Sequence, residues 1–600
     1  EQWIELYNKG SSPVDLSGWS LSDGVDFEFP PGTTLNDGEF LIVARDADSL
    51  ATKFPEIDIA GQWNGSLSRK GERLRLIDAS KNPVDEVRFY DGGRWPEAAD
   101  GGGSSLELRD PDSDNSTPEA WAGSLKSGAW QTITYSGRGS RIPSNDPDRY
   151  NEFIFGLLDA GEFLIDDISV IENPTSSPRQ LIQNGTFSGG DFDRWRMRGN
   201  HRHAEVIDDP ENPGNKVLHV QATGAMEHMH NHAETTLKDG NTFVNINSSS
   251  PYEISFRAKW LGGSNQLNTR LYFNRLPRTS ILDAPLDGGT PGAPNSQQVA
   301  NAGPTFLDLS HTPAVPAANR RATVTVQASD PDEVASMTVF YSVDGGNFAS
   351  ISMTDRGEGR YSATIPGQSG GRKVQFYVAG RDGNGATSFI PRTGPDSHAI
   401  IPWDDGQANL DYGDCQPNNF RIVMTNADRD FLHRETEVMS NDRIGCTIIY
   451  NESEIYYNCG VRLKGSQRGR NKPVRVGFNV RFPDDQPFLG AHSVVAVDRS
   501  GAGDQFSQKE MLVKHIVSRA GNIPGMNDDL IRVIAPRSAQ TGSAMLLKSK
   551  FDDEWLENQF PDGDEGTMFE YELIYYPTST AGGGPEDLKR PNPDSVAGVS

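Results

Sequence analysis

A glycine-bounded basic stretch in the last third of the chain has the residue types that phosphate binding requires. The segment 460–466, Gly-Val-Arg-Leu-Lys-Gly-Ser, reads as a strand and a turn, and it leads into a basic run at 468–475. Backbone bounded by Gly and Ser can approach an anion closely, and Lys and Arg side chains neutralise it. Lysines also protect an exposed sheet edge from pairing with another sheet. The stretch therefore predicts either a phosphate-binding strand or a solvated edge strand.

Histidines concentrate in a second segment whose chemistry suits a metal site. His228, His230 and His232 alternate, so on a strand they would share one face, and His201 and His203 lie close together in sequence. Neutral imidazoles on one surface suit zinc, copper or nickel. Same-face neighbours on a strand are ~7 Å apart, too far for three of them to bind one ion without a bend. A hydrogen-bonded polar face and a sugar-contacting face are the alternatives.

Two of the three cysteines are predicted to lie opposite one another. Segments 446–450 and 455–459 read as the strands of a hairpin, and pairing Tyr450 with Ile455 places Cys446 opposite Cys459. Directly opposite positions bring the Cβ atoms close enough for a disulfide. A disulfide would indicate an oxidising compartment, and two free, half-buried thiols are the alternative. Cys415 is expected to be unpaired.

Composition restricts the class of protein. A chain of 600 residues exceeds one hydrophobic core, so several domains are expected. The 62 glycines and 38 prolines suit turn-rich β structure. A net charge of -27 argues against nucleic acid as a partner, because phosphates repel it. The sequence has no run of 18 apolar residues, so no transmembrane segment is expected.

Residues 1–124 alternate in short strands separated by turns, a pattern typical of a sandwich. Trp-Ile-Glu-Leu-Tyr-Asn at 3–8, Val-Asp-Leu-Ser-Gly-Trp at 14–19 and Phe-Pro-Pro-Gly-Thr at 29–33 resemble a lamin-tail domain, which is an immunoglobulin-like sandwich. This resemblance implies adhesion or spacing. The usual first strand of the family is not in the sequence, and the chain begins without Met or a signal peptide, so we expect a truncated N-terminus.

Two further β regions follow. Residues 125–296 resemble a galactose-binding or carbohydrate-binding jelly roll in the segments 163–170 and 181–187, and one or two units would fit. Residues 303–402 alternate cleanly, with hairpin turns at 344–346 and 382–385, and resemble a fibronectin type III or immunoglobulin-like domain. The predicted fold class is therefore mostly β and multidomain, with tandem β-sandwiches followed by an α+β lobe.

Residues 417–600 resemble, in order, the N-terminal half of the spore-coat protein H (CotH) kinase family, an atypical kinase-like group. The resemblance rests on the segment 460–466 and the basic strand after it, and it implies ATP and Mg²⁺ as cofactors. It makes Lys472 the phosphate-contacting lysine, with Lys464 as the alternative and Arg462 and Arg475 in support. The carboxylates of the family lie further downstream. The catalytic residues are therefore expected beyond residue 600, and the chain as given is expected to be inactive.

An amphipathic helix is predicted at 507–520 within this region. Its apolar face would contain Met511, Leu512, His515 and Ile516, with Arg519 on the same side.

Together these features predict a secreted or surface-attached modular protein with a CotH-type kinase-like domain that phosphorylates a protein. A non-catalytic adhesion or glycan-binding surface protein with a degenerate kinase-like domain is the alternative. The expected location is extracellular or at the cell surface.

Overall fold

The computed structural model describes most of the chain, from residue 2 to residue 560. The predictions for Cys415 and His228 lie outside the described residues. The described residues are 2–68, 70–99, 103–124, 126–140, 150–227, 230–272, 274–285, 288–408, 417–465, 470, 472–499, 508–520, 525–550, 555–556 and 559–560.

The N-terminal region consists of small sheets around modest apolar clusters. Phe29 and Trp63 are buried at the centre of the larger cluster. One short helix, α1 (Ala47–Lys53), begins at Asp46, whose side chain accepts a hydrogen bond from the Ser49 backbone N–H. The strands are β1 (Trp3–Tyr7), β2 (Val14–Asp15), β3 (Ser20–Asp23), β4 (Phe27–Glu28), β5 (Thr34–Leu35), β6 (Phe40–Ala44), β7 (Ile59–Gln62), β8 (Arg73–Ile77), β9 (Pro83–Arg88), β10 (Leu106–Leu108) and β11 (Trp121–Gly123). They pair as β1-β6-β7, β4-β3-β8-β9, β2-β5 and β10-β11.

The next region is one sandwich, which answers the question that the sequence left open. Strands from both halves share a single core, in which Phe155 packs edge-on against Phe163 and Trp195. One sheet is β12-β22-β14-β18-β17, with β15 beside β14; the other is β16-β19-β13-β23-β24, and β20 pairs with β21. Their bounds are β12 (Gln131–Arg138), β13 (Glu152–Leu157), β14 (Gly161–Glu172), β15 (Arg179–Gln180), β16 (Trp195–Met197), β17 (His203–Asp208), β18 (Lys216–Ala222), β19 (Ala233–Thr236), β20 (Lys238–Asp239), β21 (Thr242–Phe243), β22 (Pro251–Gly263), β23 (Gln266–Leu271) and β24 (Arg275–Ile281).

A second sandwich follows, and its strands alternate as the sequence predicts. Val324 and Val326 are buried while Thr325 between them is exposed. Asp344 and Gly345 both have positive φ, in the turn after β27. One sheet is β25-β26-β30-β29; the other is β28-β27-β31-β32, with β33 beside β31. The strands are β25 (Thr305–Thr312), β26 (Ala322–Ser329), β27 (Val334–Val343), β28 (Ala349–Ser352), β29 (Thr354–Asp355), β30 (Arg360–Ile365), β31 (Lys373–Asp382), β32 (Thr387–Ile390) and β33 (Ala399–Pro402).

The C-terminal described unit is a closed barrel with two helices on it. Its order is β34-β35-β36-β37-β38-β40-β39, and the parallel pairing of β34 with β39 closes it. The strands are β34 (Asn418–Val423), β35 (Ile444–Tyr450), β36 (Glu454–Lys464), β37 (Gly477–Arg481), β38 (Val494–Asp498), β39 (Asp528–Ile534) and β40 (Gly542–Ser549). The helices are α2 (Asn426–Leu432) and α3 (Gln508–Arg519). Apolar side chains from all seven strands fill the interior, and the predicted mostly β, multidomain fold class is confirmed.

Charged residues hold the units together. Asp442, in the segment before β35, is buried and accepts hydrogen bonds from Arg202, from His203 Nε2 at 3.0 Å and from Thr223 Oγ1 at 2.8 Å. A buried carboxylate with three donors fixes the barrel against the first sandwich.

A second junction depends on Arg94. Its Nε donates to Asp485 at 2.8 Å, and its Nη1 lies 3.4 Å from Glu119 and 3.3 Å from the carbonyl oxygen of Phe306. One guanidinium thus joins the N-terminal region, the second sandwich and the barrel.

Candidate functional site

Lys464 and Lys548 meet at one carboxylate on the outer face of the barrel. The neighbours of Lys464 and Asp498 along their strands, Leu463 and Val497, point into the core, so Lys464 and Asp498 point outward. The Asp498 Oδ2 atom lies 2.7 Å from Lys464 Nζ and 2.9 Å from Lys548 Nζ. The two ammonium groups are therefore held close together on one surface.

A glycine allows Lys464 to reach Asp498 across the intervening strand. Gly477 on β37 is the register partner of Lys464. A Cβ atom at Gly477 would lie 3.3 Å from the Lys464 Cβ and 2.9 Å from the carbonyl oxygen of Val497. The missing side chain thus leaves room for the lysine to cross β37.

Helix α3 completes this network, which we call the lysine network (Lys464, Asp498, Glu510, Lys514, Asp528 and Lys548). Glu510 Oε1 on α3 accepts from Lys548 Nζ at 3.0 Å. Lys514, one turn further, lies 3.4 Å from Glu510 and 3.1 Å from Asp528 Oδ2 at the start of β39. The helix is therefore attached to the barrel through alternating charges.

The ion pairs of the network favour the charged forms of Asp498 and Lys548. Burial opposes ionisation of Asp498, but the hydrogen bonds and charges of Lys464 and Lys548 lower its pKa to about 2. Burial by itself would lower the pKa of Lys548, but the hydrogen bonds and charges of Asp498 and Glu510 raise it above the ordinary lysine value. The Asp498 carboxylate and the Lys548 ammonium group thus stabilise each other's charged form.

The apolar face predicted for α3 is not the face that packs against the barrel, so this prediction is wrong. Leu512 and Ile516 are 58% and 55% exposed, while Glu510, Met511 and Lys514 are the half-buried positions. The helix exists as predicted, but it contacts the barrel with its charged side. Periodicity of apolar residues does not reveal which face docks when ion pairs provide the contact.

The structure separates the residues that the sequence put forward for phosphate contact. Lys464 is at the end of β36, whereas Lys472 is exposed in the connection to β37. Within the described part of the chain Lys472 makes no ion pair, and its backbone oxygen accepts from Gln540 Nε2. Arg475 precedes β37 with φ 47° and contacts the Met545 sulfur at 3.7 Å. Lys472 and Arg475 therefore do not join the lysine network.

Arg462 belongs to a separate cluster, which we call the arginine cluster (Arg443, Arg462 and Arg470). Arg462 Nη1 donates to Asn441 Oδ1 at 2.7 Å. Arg470 donates to the same oxygen at 3.3 Å and to the Gly465 carbonyl oxygen at 2.8 Å. This cluster faces the junction with the first sandwich.

His230 and His232 do not lie on a strand, which corrects the prediction that they share a strand face. His230 and His232 lie in bends before β19. His232 Nδ1 is 2.6 Å from the Glu227 carbonyl oxygen and its Nε2 is 3.3 Å from Glu234, while His230 Nε2 is 3.4 Å from Glu437. The partners of His232 thus lie within the first sandwich, whereas His230 faces Glu437 of the barrel unit.

His201 likewise has a structural role. Its Nε2 accepts from the Leu157 backbone N–H at 3.0 Å, and burial lowers its pKa to about 3, so the ring is neutral. Among the described residues, the group whose metal-ligand atoms lie within 4.8 Å of one another consists of Asp330, Asp332 and Asp382, and it contains no histidine. The transition-metal site at the histidines stays a prediction without support from this geometry.

Cys446 and Cys459 are opposite one another on β35 and β36, as the hairpin arithmetic predicts. The register at the turn differs, because Tyr450 pairs with Glu454 and a bulge before Cys459 makes up the one-residue difference. Both are free thiols in the barrel core, and burial raises the pKa of each. The structure therefore has the alternative arrangement, two free thiols, and both are fully buried rather than half-buried.

Sequence reasoning missed Asp498, Glu510 and Lys548. These residues are far apart in sequence and come together only because β38 pairs with β40 and α3 lies over both. Only a weak indication of them was present in the sequence: Asp498 ends an apolar strand, and Lys548 follows the apolar residues of another.

The lysine network suits phosphate oxygens better than it suits Mg²⁺. Its ammonium groups are the point charges that phosphates bind. Each of its carboxylates is already paired with an ammonium group, whereas Mg²⁺ requires carboxylate oxygens that are free to coordinate it. These described residues therefore do not fit a magnesium site, and no step is derived through the metal.

Residues 1–91 match the family described as Lamin Tail Domain, which agrees with the resemblance in the first 124 residues. A comparison with curated proteins finds no match.

Among solved structures, the similarities are remote. The chain is similar to the crystal structure of a bromine derivative of BhCBM56 (14% identity, 15% of this chain and 88% of that one, TM-score 0.12). It is also similar to a β-1,2-glucanase from Parabacteroides distasonis (10%, 64% and 37%, TM-score 0.11) and to the Escherichia coli adhesin FdeC (11%, 43% and 94%, TM-score 0.11). TM-scores this low carry no argument about function.

In the described residues, we find no helix with the length and apolar character needed to cross a bilayer.

Proposed function

We propose that residues 417–549 are the nucleotide-binding part of a CotH-type kinase-like domain. In this proposal the protein to which the chain belongs transfers a phosphoryl group from ATP to a protein. The observation that carries the proposal is Lys548, whose ammonium group bridges Asp498 on β38 and Glu510 on α3.

A lysine on a strand paired with a glutamate on a helix is the arrangement that protein kinases require for activity. There the pair positions the ammonium group at the phosphates of ATP, and the remaining catalysis is electrostatic. Lys548 and Glu510 have these residue types and this contact, and Lys464 supplies a second ammonium group 2.7 Å from the shared carboxylate. Lys548 therefore replaces Lys472 as the principal phosphate-contacting lysine in our proposal.

Mg²⁺ belongs to the same proposal, with its ligands supplied by residues outside 417–549. Without them, ATP should bind this chain through the lysines alone and weakly. Phosphoryl transfer would require Mg²⁺ and the carboxylates that coordinate it.

Isothermal titration calorimetry of the full 600-residue chain with ATP, at low ionic strength, tests the proposal. We expect saturable binding that Lys548→Gln weakens by at least about tenfold, a loss of ~1.4 kcal/mol. Lys464→Gln should weaken it less, because Lys548, the lysine that also contacts Glu510, remains.

Lys216→Gln is the matched control. Lys216 also pairs with a carboxylate on a neighbouring strand, Asp208 at 2.8 Å, but it lies in the first sandwich, so ATP affinity should be unchanged. Near-ultraviolet circular dichroism of each variant checks folding. Wild-type-like ATP binding by both Lys548→Gln and Lys464→Gln would refute the proposal.

The N-terminal modules would serve adhesion or spacing in an extracellular or surface-attached protein.

A second candidate function is glycan binding without catalysis. It is favoured by a stacked pair of rings, Tyr7 and Phe40, with centroids 4.7 Å apart, because tyrosine combines an apolar ring with a polar hydroxyl group, which suits a partly wet interface. The pair lines a cleft of about 2300 Å³ and Tyr7 is 42% exposed. A wild-type chain that does not bind ATP would favour this second function.

A further inference from the structure

The arginine cluster lies on the barrel face that meets the first sandwich. Arg462 is on β36, on the same outer face as Lys464, and Arg470 follows in the connection to β37. Arg443 packs against Gly460 of β36. A Cβ atom at Gly460 would be only 2.8 Å from the Arg443 Cβ. Three guanidinium groups are thus brought to one patch.

The groups that solvate these arginines are neutral. Asn441 Oδ1 accepts from both Arg462 and Arg470, and the carbonyl oxygens of Gly465 and Ser440 accept from Arg470. Within the described part of the chain none of the three arginines forms an ion pair. Two guanidinium groups that share one amide oxygen are stabilised much less than two that share a carboxylate.

Arg443 has an unused donor. Its Nη1 atom is buried and has no hydrogen-bond partner, which is costly for a charged group. Arg443 and Arg481 line the cleft of about 2300 Å³ between the barrel, the first sandwich and the N-terminal region. The Arg443 side chain therefore borders a space that a ligand can enter.

The local charge is unbalanced. The carboxylates that act on the arginines are Glu227 and Asp484. Asp484 is already paired with Arg481 at 2.9 Å, and Glu227 accepts from the amides of Asn231 and Asn441. Among these described groups, the guanidinium groups of Arg443, Arg462, Arg470 and Arg481 outnumber the two carboxylates, so positive charge is in excess.

The titration behaviour agrees with this imbalance. Burial, together with the charges of Arg462 and Arg481, lowers the pKa of Arg443 to about 9. Burial and the charge of Arg462 lower the pKa of Arg470 to about 10. Ordinary ion pairing has the opposite effect, since it raises the pKa of an arginine.

We propose that the arginine cluster is a binding site for a phosphate monoester presented by a partner molecule. A phosphate monoester carries close to two negative charges at neutral pH, which matches the excess. Its three oxygens suit the planar donor fork of arginine. The site is distinct from the lysine network, and the inference does not depend on the proposed nucleotide function.

Calorimetric titration of the full chain with O-phosphoserine tests the proposal. We expect saturable binding that Arg443→Gln and Arg462→Gln each weaken by at least about tenfold. Arg372→Gln is the matched control, because Arg372 is 55% exposed and already paired with Asp344 in the second sandwich; its binding should equal that of the wild type.

Two further titrations separate this site from its alternatives. Lys548→Gln should retain O-phosphoserine binding; if it abolishes binding while Arg443→Gln does not, phosphate binds at the lysine network and the proposal fails. Glucose 6-sulfate, which carries a single negative charge, should bind more weakly than O-phosphoserine. Equal binding would overturn the choice of a phosphoryl ligand, and a wild-type chain without saturable binding at millimolar ligand would overturn the site.

Discussion

Two successive outward positions near the end of β36, Arg462 and Lys464, differ in how the surrounding residues balance positive charge. At the second position, Lys464 and its neighbour Lys548 share the carboxylate of Asp498, and Lys548 also contacts Glu510. At the first position, Arg462 and Arg470 share the amide oxygen of Asn441, and Arg443 leaves a buried nitrogen without a partner. Positions two residues apart on one strand thus differ in whether the protein supplies the counter-charge.

This difference indicates two roles for basic residues in an acidic chain. Where carboxylates are supplied, the charges attach α3 to the barrel and are part of the folded structure. Where they are withheld, the cost of a buried cation remains in the folded state. That cost is offset when an anion binds, so the second arrangement favours ligand binding.

Removing the shared carboxylate should have the largest effect on this contrast. Asp498→Asn leaves Lys464 and Lys548 without their common partner, and we expect β38 and β40 to lose about 2 kcal/mol of stability against local unfolding. Hydrogen exchange of peptides from these strands measures the loss. Unchanged protection would show that the ion pairs contribute nothing to the barrel.

The stability difference between wild type and Asp498→Asn should depend on pH. The pKa of Asp498 is lowered from an unfolded value near 4 to about 2. A lowered folded-state pKa contributes stability that is fully present above the unfolded pKa and is lost as the pH falls through about 2. The difference in protection between wild type and Asp498→Asn should therefore be constant above pH ~5 and narrow towards pH ~2.

Removing a charge from the arginine cluster should change stability with the opposite sign. In buffer without phosphate or sulfate, Arg443→Gln removes a buried cation that forms no ion pair with the described residues. We expect protection of β35 and β36 to increase by about 1 kcal/mol. A decrease of similar size in the same hydrogen-exchange measurement would mean that the guanidinium is compensated after all, and the contrast between the arginine cluster and the lysine network would disappear.

The smallest effect is expected at the rim of the lysine network. Lys514 pairs with Glu510 one helical turn away and with Asp528. Both pairs are partly exposed, so Lys514→Gln should cost less than about 0.5 kcal/mol. Molar salt should remove the difference from wild type, because exposed pairs are screened; a loss that persists in salt would contradict this assignment.

Local sequence patterns predicted much of the fold. The alternation in β26, the turn at Asp344 and Gly345 and the hairpin that pairs Cys446 with Cys459 depend on residues close in sequence. Helix α3 was predicted to within a residue at each end for the same reason. These features follow from the periods of strands and helices and from the residues that turns require.

The sites were less predictable because they depend on distant pairings. Lys548 and Asp498 are fifty positions apart and meet only through the pairing of β38 with β40. The closure of the barrel by parallel β34 and β39 has no local signature either. The alternating histidines suggested a strand, but their segment is bent because His232 bonds back to the Glu227 carbonyl oxygen five residues earlier.

The bulge in β36 determines which way every later side chain of that strand faces. Before it, Tyr456 points into the barrel, and after it Cys459, Val461 and Leu463 do, so inward positions change from even to odd numbers. The extra residue is absorbed around Asn458, which has φ 50° and accepts a hydrogen bond from the His398 backbone N–H of the second sandwich. Without that change of phase, regular alternation would turn Arg462 and Lys464 into the apolar interior. The placement of both basic clusters on the surface thus depends on one left-handed asparagine that is held by the neighbouring unit.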